Sequence, residues 1–321
     1  NDQEHKIKDA HIAEQAAISA KQKAEIKTKH VQQYALFGML ALLLIITFLI
    51  QGRFKSSQKK KKIIEKQHLK LEETHQDLTD SITYAKRIQK AVLPSEKNIQ
   101  NILTESFVLY MPKDIVAGDF YWVEKKEDSI IFAAADCTGH GVPGALVSVL
   151  GNNALNRSVR EYHLTDPGKI LDKSRELMIG EFEKSEEEVL DGMDIALCKI
   201  IDNKLFFAGA NNPLWVHRNN EIIEINGDNQ PIGKYNSPYP FNTHCFELQK
   251  NDIIYLFSDG YADQFGGDKN KKFKKKNLRL LIKSIASETM VDQKQILEEN
   301  FNTWKGENEQ IDDVCIMGVK I

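Results

Sequence analysis

Acidic residues stand where short apolar runs begin or stop. Asp119 lies in VAGDFYW, just before an aromatic stretch, and Asp136 follows IIFAAA. Asp259 follows IIYLFS in the tripeptide SDG, and Asp312 and Asp313 precede VCIMGV. Gly118, Gly139 and Gly260 sit close to them. Each Asp alone reads as a turn residue. Jointly, carboxylates and nearby backbone carbonyls are the ligand set of hard cations, Mg²⁺ or Mn²⁺. Carboxylates gathered at one place repel unless cations neutralise them, so a shared site would call for metal. The run DCTGHG (136–141) also places a thiol, a hydroxyl and an imidazole beside Asp136. A Cys/His nucleophile, half a zinc site, a phosphate-cradling loop and a carboxylate metal ligand are all open readings of that run. His140 reads either as a proton donor to a leaving oxygen or as a structural residue filling a turn between glycines.

Such acids need strands that end together. Short apolar runs with strand character occur at 130–135, 195–200, 205–210, 214–217, 253–257 and 314–319. Helical patterns lie between them at 142–162, 167–182 and 292–304. Neighbouring strands followed by helices predict antiparallel sheets with helices packed outside, an α+β arrangement over 94–321. DGMD (191–194) precedes a strand, as a turn or an approach to a further metal. Asn211 and Asn212, before Pro213, read as a turn or a substrate contact. The basic run 269–279 reads as a solvated helix start, close enough to SDG to serve as a docking flap.

The first third is different. No proline precedes Pro94, and only Gly38 and Gly52 interrupt helix-permissive sequence. Residues 31–52 carry no charge. As a helix they would extend about 33 Å, enough for a bilayer core of about 30 Å. Eight Lys and Arg in 53–70, against four in 11–30, orient the C-terminal body to the cytoplasm. Ile64, Leu71, Leu78, Ala85 and Val92 recur every seven residues, one seam of a marginal coiled coil and of a homodimer through 64–92. The expected organisation is a helical end of a longer sensory region (1–30), a transmembrane helix (31–52), a coiled-coil linker (53–93) and a catalytic domain (94–321). The first residue, Asn, fits a chain cut from a longer protein.

Composition narrows the function further. Residues 1–93 hold 17 Lys and Arg against 10 Asp and Glu; the remainder holds 26 against 36, a net charge of −10. An acidic body argues against a nucleic-acid partner. Cys137, Cys198, Cys245 and Cys315 lie far apart without a CxxC pair, excluding a zinc ribbon. The last three read as small buried residues. No GxxxxGK[ST] occurs, so a P-loop kinase is excluded.

GDFYW, ADCTGHGVPGAL, AGANNPLW, FSDGYADQFGG and QIDDVCIM occur in that order. From about Tyr84 to Ile321 the chain resembles the bacterial metal-dependent serine/threonine phosphatases of the SpoIIE/RsbU type, in the protein phosphatase 2C superfamily. The lead-in YAKRIQKAVLPS is similar to their usual linker helix. The resemblance implies an αββα sandwich of two antiparallel sheets flanked by helices, with two Mn²⁺ or Mg²⁺ ions at one end. Carried over by position, Asp119 would bind one metal and Asp136 would bridge both, with the Cys137 carbonyl as a further ligand. Asp259 and Asp312 would complete the set, and Asp313 would support them or replace Asp312. It also implies a phosphorylated regulatory protein as substrate, often an antagonist of an anti-sigma factor. A signalling scaffold and a small-molecule phosphohydrolase are the alternatives; retention of all the acids disfavours the first, the membrane anchor and seam the second.

Overall fold

The computed structural model describes residues 2–186 and 188–321. They form two compact units, divided between Asp77 and Leu78. Helix α1 (Asp2–Val92) is unbroken, as the absence of proline allows. In the first unit its apolar stretch is exposed, with Leu44 and Phe48 at 70 and 76 %. Among the described residues it is the one helix long and apolar enough to cross a membrane, with a mean hydropathy of 2.4 over an 18-residue window. The hydroxyl of Thr47, inside that stretch, donates to the Leu43 carbonyl at 2.6 Å, so its polar group is satisfied within the helix.

The second unit is layered. After the last turns of α1 come α2 (Glu96–Ile102), β1 (Ser106–Met111), β2 (Phe120–Lys126) and β3 (Ser129–Cys137). Next are α3 (Gly141–Arg160), α4 (Pro167–Phe182), β4 (Met193–Ile201) and β5 (Lys204–Ala210). They are followed by β6 (Leu214–Arg218), β7 (Glu221–Ile225), β8 (His244–Glu247), β9 (Ile253–Phe257) and the short α5 (Gly260–Asp263). A small hairpin of β10 (Phe265–Gly266) and β11 (Lys271–Lys272) precedes α6 (Lys275–Ile285), α7 (Met290–Lys305) and β12 (Val314–Lys320). One sheet has the order β1-β12-β9-β6-β7 and the other β2-β3-β4-β5-β8, every pair antiparallel.

Alternation along the strands builds the layers. In β3, Ile131, Ala133 and Ala135 face α3 and α4, while Phe132 and Ala134 enter the space between the sheets. In β9, Ile254 and Leu256 enter the same space, while Ile253, Tyr255 and Phe257 pack with α6 and α7. Two-sided burial explains why these strands read as continuous apolar runs. Burying each large side chain contributes about 1.5–3 kcal/mol. The outer helices start on polar caps: Asp166 accepts from Lys169 N at 3.1 Å in α4, and Thr289 from Asp292 N at 3.2 Å in α7.

Three expectations change in detail. β3 runs through Asp136 and Cys137, because these pair with Asp194 and Met193 of β4, so DGMD enters a strand instead of stopping before it. Cys245 is exposed and not buried: it lies on β8, an edge strand paired only to β5, whose residues are covered on one side at most. The basic run 269–279 forms β11 and the first turns of α6, with Phe273 buried between them.

Candidate metal centre

Antiparallel pairing brings the acids to one end of both sheets. Phe120 pairs with Ala135, which sets Asp119 and Asp136 on adjoining strand ends. Ile316 pairs with Phe257, which does the same for Asp312 and Asp259. A hydrogen bond joins the two sheets at this end, Gly118 N donating to Asp313 Oδ2 at 2.6 Å, while Lys113 N, beyond β1 of the same sheet as β12, donates to Asp313 Oδ1 at 2.7 Å. A Cβ on Gly118 would collide with the Gly139 carbonyl, and one on Gly260 with the Asp313 carbonyl. Only glycine allows the backbone segments to approach this closely.

A cleft of about 370 Å³ opens here, lined by Asp136, Cys137, His140, Asp194, Asp259 and Asp312 among others. Asp119 is 2 % exposed and Asp313 equally buried. Burial, then the neighbouring Asp136, pushes Asp119 well above the usual carboxylate range, while a Ser258 hydrogen bond opposes the shift. Asp136 is pushed up to about 8, first by burial and then by Asp259, Asp312 and Asp194. Burial likewise raises Asp259, helped by Asp263 and Asp312 and opposed by Lys275 and Lys272.

The donors fit a hard divalent cation. They are all oxygen, and Asp119 Oδ2 is buried without a hydrogen-bond partner. Among the described residues, no three His, Cys, Asp or Glu side chains close on a single point as a ready metal cage. An open set of carboxylates suits Mg²⁺-like ions, which retain several waters.

Asp313 differs from Asp312. Both its carboxylate oxygens accept from backbone N–H groups, whereas Asp312 lines the cleft and accepts from Asp313 N at 2.9 Å. Cys137 Sγ is buried and its thiol is pushed up by burial, so it makes a poor nucleophile. His140 lies just before α3, between Gly139 and Gly141 at φ of 80° and 65°. Its Nδ1 is 2.7 Å from Asp114 Oδ2 and its Nε2 2.9 Å from Lys113 Nζ. Asp114 selects the Nδ1–H tautomer, leaving Nε2 to accept from the ammonium.

Asp194, Asn211 and Thr138 stand out in the sequence without a definite role, whereas Gln89 and Tyr110 carry no site signal there. Asp194 stands directly across from Asp136 and accepts from Asn211 Nδ2 at 2.8 Å. Thr138 exchanges hydrogen bonds with Gly192, its hydroxyl accepting from Gly192 N at 2.7 Å. Gln89, near the end of α1, donates to Ala117 O at 2.6 Å and accepts from Ala117 N at 3.2 Å, and donates to Ser148 Oγ at 2.9 Å. The Tyr110 hydroxyl donates to Asp119 O at 3.0 Å. The Ala117–Asp119 segment is thus bonded by residues from α1, β1 and the turn just before β12. Only spatial proximity links these positions.

The profile of the family described as Stage II sporulation protein E (SpoIIE) matches residues 126–321. The phosphoserine phosphatase RsbU of Bacillus subtilis (strain 168) is 22 % identical over 200 residues, 61 % of this chain and 58 % of that protein. The chain therefore matches little more than half the length of this relative. The SiaA-PP2C domain of Pseudomonas aeruginosa superposes with a TM-score of 0.72 at 28 % identity, over 77 % of this chain and 98 % of that one. The PP2C phosphatase domain and regulatory fragment of SpoIIE from Bacillus subtilis superposes at 0.56 and 17 % identity, over 68 % and 63 %.

Proposed function

The chain belongs to the SpoIIE family, and on that premise we propose that it is a membrane-anchored, metal-dependent serine/threonine protein phosphatase acting on a cytoplasmic phosphoprotein. One observation carries the reading: acids from both sheets share one cleft end, with Asp119 Oδ2 buried and unpartnered. Asp119, Asp136, Asp259, Asp312 and the Cys137 carbonyl would hold two Mn²⁺ or Mg²⁺ ions, and Asp313 would support them by fixing the Lys113–Gly118 backbone. Such ions, when bound, supply a water acidified to near-neutral pKa and neutralise charge on the phosphoryl group.

The protein's own groups do the remaining work. Asp136 and Asp259 are the acids without which the cation site fails. Asp194 adds a further carboxylate beside Asp136, offset by Asn211. His140, held through Nδ1 by Asp114, would donate to a phosphoryl oxygen or protonate the leaving serine or threonine oxygen only with a proton on Nε2, once Lys113 has turned away to the substrate. Lys113 adds a cation at the same place. The substrate in this reading is a phosphorylated regulatory protein, of the kind that antagonises an anti-sigma factor. Anchoring is through residues 31–52, with the catalytic domain on the cytoplasmic side. Dimerisation is through the 64–92 seam, where Ile64, Leu71, Leu78 and Val92 are exposed.

The test is release of phosphate from a phosphoserine protein by the full chain in detergent, with Mn²⁺ or with chelator. Mn²⁺-dependent release, lost in Asp136→Asn and Asp259→Asn, is the expected result. Undiminished activity in both variants would overturn the site, and equal activity with chelator would overturn the metal requirement.

A further inference from the structure

At the other end of β9 and β12 from the acids lies a second cavity, of about 500 Å³. Ile253 and Lys320 line it, while Asp259 and Asp312 line the cleft at the opposite strand ends. At about 3.3 Å per strand residue the two are about 20 Å apart. The Arg218–Asp252 pair forms a fixed part of its wall. Arg218 Nε and Nη2 donate to the Asp252 carboxylate at 2.9 and 2.5 Å, and Nη2 also donates to Glu247 O at 2.7 Å. Asp252 also accepts from Gln249 N at 2.8 Å and is 1 % exposed, so its charge is already engaged.

What remains around this pair is cationic. Lys250, Lys283 and Lys320 line the cavity, and among the described residues only Lys320 of these has an acidic partner, Glu105 at 3.4 Å. Four cations therefore line the cavity with one acid, in a region of the sequence whose net charge is −10. His217 also lines it, with Nε2 buried and without a hydrogen-bond partner. Asn219, Asn220 and Ser287 add neutral donors.

We propose that this cavity is a binding site for a compact, multiply charged phosphate compound of about mononucleotide size. The volume falls in the range of small-ligand sites, about 300–1,000 Å³. Lysine ammonium groups bind phosphate as point charges, and two of these three have no internal partner to give up. The concave shape suits a compact anion better than an extended acidic peptide. The site is independent of the proposed reaction, since no residue of the cleft lines it.

The experiment is calorimetric titration of the detergent-solubilised full chain with inorganic tripolyphosphate and with ATP, in chelator and about 150 mM salt to suppress unspecific charge pairing. Short-chain phosphatidic acid is a third probe, for a lipid source of the same phosphate chemistry. Saturable binding of a soluble probe is expected for the wild type and for Asp136→Asn. In the double variant Lys250→Ser/Lys283→Ser binding should weaken at least about tenfold, with an unchanged melting temperature in the absence of probe. No saturable binding, equal affinity in the double variant, or loss in Asp136→Asn alone would overturn the proposal. Binding of phosphatidic acid without either soluble probe would overturn the small-molecule class.

Discussion

Asp136, half-buried in the cleft, and Asp313, buried beside it, belong to the same site, yet their surroundings give them opposite tasks. Asp136 is crowded by Asp259, Asp312 and Asp194, and its carboxyl is pushed up to about 8. Replacing it with Asn removes one member of a repelling set while keeping an oxygen acceptor. Asp136→Asn should therefore abolish phosphatase activity and raise the melting temperature of the metal-free chain by about 2–4 °C for each kcal/mol that burying and crowding this carboxyl costs. A lower melting temperature in calorimetry would count against the repulsion. Asp313 is the reverse case, for its oxygens hold Lys113 N and Gly118 N. Asp313→Asn would leave one of those N–H groups facing an amide donor, loosening the segment before Asp119. A loss of about 10–100-fold in activity, with a raised Mn²⁺ requirement, is expected. Asp312→Asn should cost more, and a titration of activity against Mn²⁺ for the two variants orders them. The acids were legible in the sequence because each follows or precedes an apolar run. The different bonding of Asp312 and Asp313 was not, because adjacent residues are separated only by where their side chains point.

The elements around the site differ in how openly the sequence announces them. β3, β5, β9 and β12 are sandwiched between apolar layers and read as continuous apolar runs, whereas β7, β8 and the β10–β11 hairpin are short or one-sided and left no such trace. The end of α1 is another such case. Its heptad seam drew attention to Ala85 and Val92, yet Gln89 is the buried residue, bonded to both backbone groups of Ala117. Gln89→Ala should leave that N–H and C=O without partners and cost about 1–3 kcal/mol. Calorimetry would then show the catalytic unit melting several degrees lower, while an unchanged transition would mean the α1 contact is not part of its cooperative core.

For the molecule as a whole, the raised carboxyls link stability to pH and metal. In the metal-free native state burial and crowding raise the carboxyls of Asp119, Asp136 and Asp259, Asp136 to about 8, so each releases its proton at a higher pH than in an unfolded chain, where Asp values lie near 4. Stability should therefore fall as pH rises from about 4 to about 8, the opposite of what a salt-bridged carboxylate produces. Cations that bind the ionised acids should reverse this. A melting series between pH 5 and 8 is expected to slope downward in chelator and to flatten with Mn²⁺; parallel curves would mean that the acids do not share a cation site.

Taken alone, the sequence determined the layered α+β class, the apolar 31–52 stretch and the identity of the acids, because burial pattern, chain length and charge are local properties. Tertiary structure alone decided which acids line the cleft, that Asp194 stands opposite Asp136, and that α1 is tied to the segment before Asp119 through Gln89. It also decided that four cations from separate elements surround one cavity at the far strand ends. These depend on strand register and on contacts between residues tens to hundreds of positions apart, where no local pattern carries the information.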